Sequence, residues 1–325
     1  MGSTVTIIPP GGLVLVSGVS GFIGSHIALN LVKLGYKVRG TVRSEDKATW
    51  IKEAVAYYYP FASFEAALVP DITAAGDMSF GADPNKIITP MVNSVRNLLE
   101  TATKEPSVKR FVFTSSNQAA LNRTLGKEFM VDKTAFNEAS VAAAWRPPPY
   151  EPDRIWDVYS ALKTQIEQEV WKFTREEKPK LVVNSVLPCF IVGPIIHPKQ
   201  SGSTGKWVMD FWKDAGHFAP LQGFGGSYFV DADDTALLHI AGLTQEDVKN
   251  ERLFGFAGIF NFNTWVSVFR QLDLSRPWPA DDPNQQSDLS KVDDARELEL
   301  LKRFGYNGWT SFFDSVKKTV QESRQ

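Results

Sequence analysis

The chain has 325 residues, a formal net charge of -2, and 43% hydrophobic and 22% charged residues. That length suits one large α/β domain or a core domain with a smaller lobe, and that composition excludes disorder. The charge gives no electrostatic case for nucleic acid or an acidic membrane as a partner, and the single cysteine, Cys189, excludes an intramolecular disulfide and a cysteine-rich metal site.

One cysteine also fits a reducing compartment. Met1 to Gly12 lacks the basic start and apolar stretch of a signal peptide, and the longest apolar runs are far below the roughly 20 residues of a spanning helix. A cytoplasmic protein without a membrane partner is expected. His26, His197, His217 and His239 are scattered, and none has a metal-ligand spacing.

Leu13 to Val16 is a continuous apolar run, expected as a strand buried on both faces. Ile23, Ile27, Leu31 and Leu34 recur at helical spacing, and Gly35 closes that helix. Lys37 to Val42 reads as a second strand and Glu45 to Tyr59 as a helix stopped by Pro60. Phe64 to Val69 is a third strand, Lys86 to Thr103 a helix, and Arg110 to Thr114 a strand. Tyr159 to Glu177 is a long helix and Leu181 to Val186 another buried strand. This alternation predicts an α/β fold, a Rossmann-type doubly wound parallel sheet covered on both faces. A smaller, mainly C-terminal lobe completes it. The expected boundaries are 12–192 with 227–262 for the dinucleotide-binding domain, and 193–226 with 263–325 for the substrate lobe.

Gly18-Val19-Ser20-Gly21-Phe22-Ile23-Gly24 follows a strand and opens a helix, the context a dinucleotide loop needs. Glycine permits the tight turn and close approach to a pyrophosphate on the helix N-terminus. Gly18, Ser20, Gly21, Phe22, Ile23 and Gly24 are therefore candidate cofactor contacts. An NAD enzyme usually ends its second strand on an acid that grips the ribose. Here Arg39-Gly40-Thr41-Val42-Arg43 carries none. Arg43, with Arg39 or Lys47, either holds the 2′-phosphate of NADP(H) or is a solvated surface cation.

Tyr159 and Lys163 are four apart and share a helix face. A nearby ammonium stabilises phenolate, which suits Tyr159 to protonate a carbonyl oxygen. Alone, that spacing is common on surface helices; the glycine loop upstream gives it weight. Thr114-Ser115-Ser116 ends a strand, where a parallel sheet faces its ligand. Ser116 is the candidate to hydrogen-bond a substrate carbonyl, the alternative being a cap or turn serine. Trp145, Trp156, Trp207, Trp212 and Phe224 read as packing rather than pocket. Cys189 reads as inert, because no His/Asp set accompanies it.

Together these residues resemble the extended short-chain dehydrogenase/reductase superfamily, and within it the dihydroflavonol-4-reductase-like group of fungal NADPH-dependent aldehyde, ketone and methylglyoxal reductases. The match rests on Val16 to Gly24, Val38 to Arg43, Val108 to Ser116, Tyr159 to Lys163, Leu187-Pro188 with Gly193-Pro194, and Tyr228 to Asp231. The resemblance implies NADP(H) as cofactor, a small carbonyl substrate, and a Ser116–Tyr159–Lys163 reductase. It also implies that Asp71 and Ile72 lie by the adenine, Pro188 to Ile191 by the nicotinamide, and Ser203 against the cofactor.

The chain departs from the family at one place. Asp71-Ile72-Thr73-Ala74 runs straight into Ala75 to Phe80, which matches the loop after the family's fourth strand. The helix and strand that belong between them need roughly 20 residues. If the sheet closed over that gap, Ser116 would move by about 4.8 Å. A lost coding segment and a shortened protein both account for it. An impaired nucleotide-binding protein and an NAD(P)-dependent epimerase or dehydratase are the alternative functions.

Overall fold

The computed structural model describes residues 6–70, 81–177, 179–200, 203–214 and 219–324. It opens with β1 (Leu13–Val16), α1 (Phe22–Lys33), β2 (Lys37–Val42), α2 (Glu45–Tyr58) and β3 (Phe64–Leu68). Gly35 ends α1 at φ +84°, and Ser44 caps α2 by accepting from Lys47 N–H. The three strands form a parallel sheet in the order β1-β2-β3, with Val16 opposite Gly40 and Gly40 opposite Ala66. Val14, Val16, Val38 and Val42 point into a core shared with α1 and α2.

A second parallel sheet, β4-β5-β8, joins β4 (Arg110–Thr114), β5 (Val182–Pro188) and β8 (Arg252–Gly255). One face is covered by α3 (Pro84–Lys104), α4 (Glu138–Ala144) and α5 (Ile155–Glu177), through Ile88, Val95, Leu99, Val158, Leu162 and Ile166. The other face carries α8 (Ala232–Thr244). Ile240 of α8 belongs to the core of the first sheet, while Leu238 and Ala241 belong to the core around β5 and β8. α8 therefore couples the two half-sheets.

A third sheet, β6-β7-β9, consists of β6 (Phe190–Val192), β7 (Ser227–Asp231) and the antiparallel β9 (Gly258–Phe260). It packs with α6 (Thr204–Lys213), α7 (Ala219–Phe224), α9 (Phe262–Leu272) and α11 (Phe312–Glu322) around an aromatic core that includes Phe190, Phe229, Phe260, Trp265 and Phe312. The remaining helix, α10 (Ala295–Arg303), lies on α8 and β8.

The fold class is the expected one, with two departures. Among the described residues β1 pairs only with β2 and β4 only with β5, so no ladder crosses from one half-sheet to the other. β1 is also not buried on both faces: Leu13 and Leu15 are 59% and 64% exposed while Val14 and Val16 are buried. Residues 69–83 separate β3 from α3, and 71–80 of them lie outside the described residues.

Candidate active site

The glycine turn is held from below by β2. Gly18 adopts φ +63°, a conformation that favours glycine. Its N–H donates to Thr41 Oγ1 at 3.0 Å, and Val19 N–H donates to Thr41 O at 3.1 Å. A Cβ on Gly24 would stand 2.6 Å from Gly18 O, and one on Gly40 would stand 2.3 Å from the Val19 side chain. The turn is thus as tight as backbone contact allows. Gly21 caps α1 with no side-chain bond, and the first turn carries no acid. The N–H groups at the start of α1 are left for an anion. Ser20 is buried and Ile23 half-buried. The Phe22 ring packs in a cluster with Ile191 and Met209, so Phe22 offers its main chain to a ligand. Thr41 was not singled out from the sequence; its signal is a hydroxyl at the end of β2, beside Arg43.

Arg43 is exposed and Lys47 half-buried at the start of α2, and neither side chain has a hydrogen bond or ion pair among the described residues. Arg39 is different. Its guanidinium pairs with Glu65 at 3.0 Å, on the uncovered face of the sheet, so it is not a third free cation.

The other half of the site grows from β4 and α5. Ser115 is buried, and its hydroxyl donates to Glu167 Oε2 at 2.8 Å. Ser116 is buried too; its Oγ caps a short 3₁₀ turn, Asn117–Ala119, by accepting from Gln118 N–H at 3.3 Å. The capping alternative therefore holds for Ser116, alongside any role toward a ligand. Ser160 Oγ donates to Gln118 Oε1 at 3.1 Å, which ties that turn to α5. Tyr159 is half-buried, its ring edge-on to Trp156 at 6.2 Å. Lys163, one turn on, is half-buried and has no hydrogen bond or ion pair among the described residues. Two serines, a tyrosine and a lysine thus come from adjoining ends of one strand and one helix.

Pro188 ends β5 and Ile191 lies in β6, both buried. Thr204 Oγ1 donates to Ile191 O at 2.6 Å, which fixes the start of α6 beneath Ser203, itself exposed. Asp71 and Ile72 lie outside the described residues. Burial pushes the Cys189 thiol well up, as an inert cysteine requires. Of the aromatics, Trp212 packs against Phe269 and Trp278, and Phe224 against Phe260. Trp156 and Trp207 are not core residues, at 66% and 42% exposed, and Trp145 is exposed as well. A cavity of about 410 Å³ lies elsewhere, lined by Val92, Phe136, Gln165, Gln168, Glu169, Lys172 and Arg175. Gln165 is two residues from Lys163, roughly 200° around the helix, so that cavity opens on the opposite face of α5.

A parallel α/β sheet, a glycine turn on an uncapped helix and a Tyr/Lys pair on the neighbouring half define an extended short-chain dehydrogenase/reductase. Residues 14–254 match the model of the NAD dependent epimerase/dehydratase family, and the chain belongs to that family. It is 55% identical over 333 residues to an NAD-dependent epimerase/dehydratase of Aspergillus terreus, covering 97% of this chain and 98% of that protein. It is 38% identical over 334 residues to aldehyde reductase 2 of Sporidiobolus salmonicolor, covering 97% and 96%. Both alignments are longer than the 325 residues of the chain itself, so each relative carries residues with no counterpart here. The fold is similar to that of Gre2 from Candida albicans, solved in complex with NADPH, with TM-score 0.75, 21% identity and coverage of 96% and 98%. No helix among the described residues is long and apolar enough to cross a membrane.

Proposed function

We propose that the protein is an NADPH-dependent reductase of aldehydes or ketones that works through Ser116, Tyr159 and Lys163. The observation that carries this reading is the placing of Tyr159 and Lys163 one turn apart on α5, beside the Ser115–Ser116 end of β4. The names of relatives, an aldehyde reductase among them, support the same reading.

The residues present fit the cofactor. A Cβ at Gly24 would fill the turn, and α1 begins without a side-chain cap. Gly18 to Gly24 would hold the pyrophosphate, and the cations Arg43 and Lys47 the 2′-phosphate. Pro188 and Ile191 would border the nicotinamide, Asp71 and Ile72 the adenine, and Ser203 would touch the cofactor from the start of α6. When bound, the cofactor supplies a hydride for the carbonyl carbon. Ser116 would orient the carbonyl oxygen, and the Tyr159 phenol would give that oxygen its proton. The Lys163 ammonium would stabilise the resulting phenolate and bind the ribose. Trp156 and Trp207, exposed aromatics of the flanking segments, suit a medium-sized and partly apolar substrate.

The test is NADPH consumption with a panel of aldehydes and ketones, with NADH as control. Turnover with NADPH is expected, and its absence across the panel would refute the reductase reading. One observation favours a second reading, a nucleotide-binding protein without turnover: the glycine turn and the Tyr/Lys pair belong to half-sheets that share no ladder among the described residues. Tight NADPH binding with no consumption would support it.

A further inference from the structure

We infer that Glu167 is a positioning residue for this site: one buried carboxylate sets the strand that bears Ser116 against the helix that bears Tyr159 and Lys163. The inference rests on the reductase reading above and deepens it.

Glu167 lies on α5, four residues after Lys163 and eight after Tyr159, so all three share a face of the helix. It is 0% exposed. Its Oε2 accepts from Ser115 Oγ at 2.8 Å and from an Arg252 terminal nitrogen at 3.1 Å. Its Oε1 accepts from Ser185 Oγ at 2.8 Å, Arg252 Nε at 2.9 Å and Trp171 Nε1 at 3.2 Å. β4, β5 and β8 therefore each send one side chain to the same group. Arg252 is in turn fixed by donating to the carbonyls of Lys133 and Ala135, and it stacks over the Phe136 ring.

A buried charge would be costly without such partners, and a carboxylate that serves only to fill space is better replaced by an apolar side chain. What this network adds is direction. Ser115 is the residue before Ser116, and Gln118, two residues after it, is held by Ser160 next to Tyr159. The segment carrying Ser116 is thus clamped to α5 on both sides, at points seven residues or about 10 Å apart along the helix. The clamp lies wholly within the β4-β5-β8 half, so it does not depend on a ladder to β1, and none is present among the described residues.

Two substitutions remove chemically equal bonds from the same carboxylate. Ser115→Ala frees the strand end that bears Ser116, whereas Ser185→Ala frees β5, which bears none of the three. A displacement of about 1 Å costs on the order of 100-fold in rate. Ser115→Ala is expected to lower kcat by about 10- to 100-fold with KM for NADPH within about 2-fold, and to speed amide exchange in the 116–119 turn. Ser185→Ala, compared at similar Tm, is expected to leave kcat within about 2-fold and that exchange unchanged. Equal effects of the two variants on kcat and on exchange would overturn the inference. If the wild type consumes NADPH with no carbonyl, the reductase reading fails by itself. The exchange comparison then decides alone, and unaltered exchange in Ser115→Ala rejects the clamp.

Discussion

Arg43 and Lys47 have no hydrogen bond or ion pair among the described residues, and the end of β2 beside them carries no acid. Each charge-assisted bond to a phosphate is worth about 1.5–3 kcal/mol. Arg43→Ala is therefore expected to raise the Kd for NADPH by about 10- to 100-fold and to leave the weaker Kd for NADH within about 2-fold. Fluorescence titration with both cofactors checks it; equal losses for the two would remove the 2′-phosphate from the argument. Thr41 works at the same scale without charge. Its hydroxyl and carbonyl receive the N–H groups of Gly18 and Val19, so the shape of the glycine turn is set partly by β2.

At the level of elements, α8 is the joint between the half-sheets, and two of its side chains titrate in opposite senses. His239 Nδ1 bonds Thr235 O, and Nε2 bonds Thr114 Oγ1 on β4, both at 2.8 Å. Burial holds it neutral, pushed down to about 4, against the opposing bond to Thr235. Between about 4 and its ordinary value of 6.5 the unfolded chain binds more protons, so this histidine makes stability fall as pH falls. Asp234, buried and bonded to Thr310, is pushed up to about 7 by burial and then by the charge of Asp231. Between its ordinary 3.8 and about 7 the folded chain binds more protons, so this carboxyl makes stability fall as pH rises. The two slopes oppose each other across the same window. Relative to wild type, His239→Gln should gain stability from about pH 6.5 to about pH 5, and Asp234→Asn should lose it. Urea midpoints at the two pH values measure this, and parallel profiles would contradict the assignment.

The elements themselves were largely legible in the sequence. β2 and β4 span the residues expected of them from the sequence, and Gly35 ends α1 at positive φ. α5 begins at Ile155 rather than Tyr159, because Pro152 to Arg154 already form a 3₁₀ turn that feeds it. Of the site, glycine spacing and the Tyr/Lys interval were legible because each is local. Glu167 was not, since four of its five bonds come from three segments distant in the chain, at Ser115, Ser185 and Arg252. The exposure of Trp156 and Trp207 was hidden for the same reason: composition does not say which aromatic finds a partner.

For the whole molecule, what matters is that no ladder among the described residues joins β1 to β4. The uncovered face of β1 exposes Leu15, while Val16 is buried in the core of the first half-sheet. Leu15→Lys is expected to cost under about 0.5 kcal/mol and Val16→Ala about 1–3 kcal/mol by urea unfolding. A cost of several kcal/mol for Leu15→Lys would mean that this face is covered in solution. The gap between the ladders also bears on function, because under the proposed reading a cofactor held by α1 would have to reach Tyr159 on α5. The halves meet through α8, whose Ile240 packs in the core of the first half-sheet and whose Leu238 and Ala241 pack in the core around β5 and β8. Whether that joint keeps the two within reacting distance is decided by turnover in parallel with binding. Wild type and Tyr159→Phe should bind NADPH with equal affinity, while kcat with a carbonyl substrate falls by about 100- to 10,000-fold in the variant. Equal kcat in the two proteins, with cofactor bound to both, would contradict Tyr159 as the proton donor.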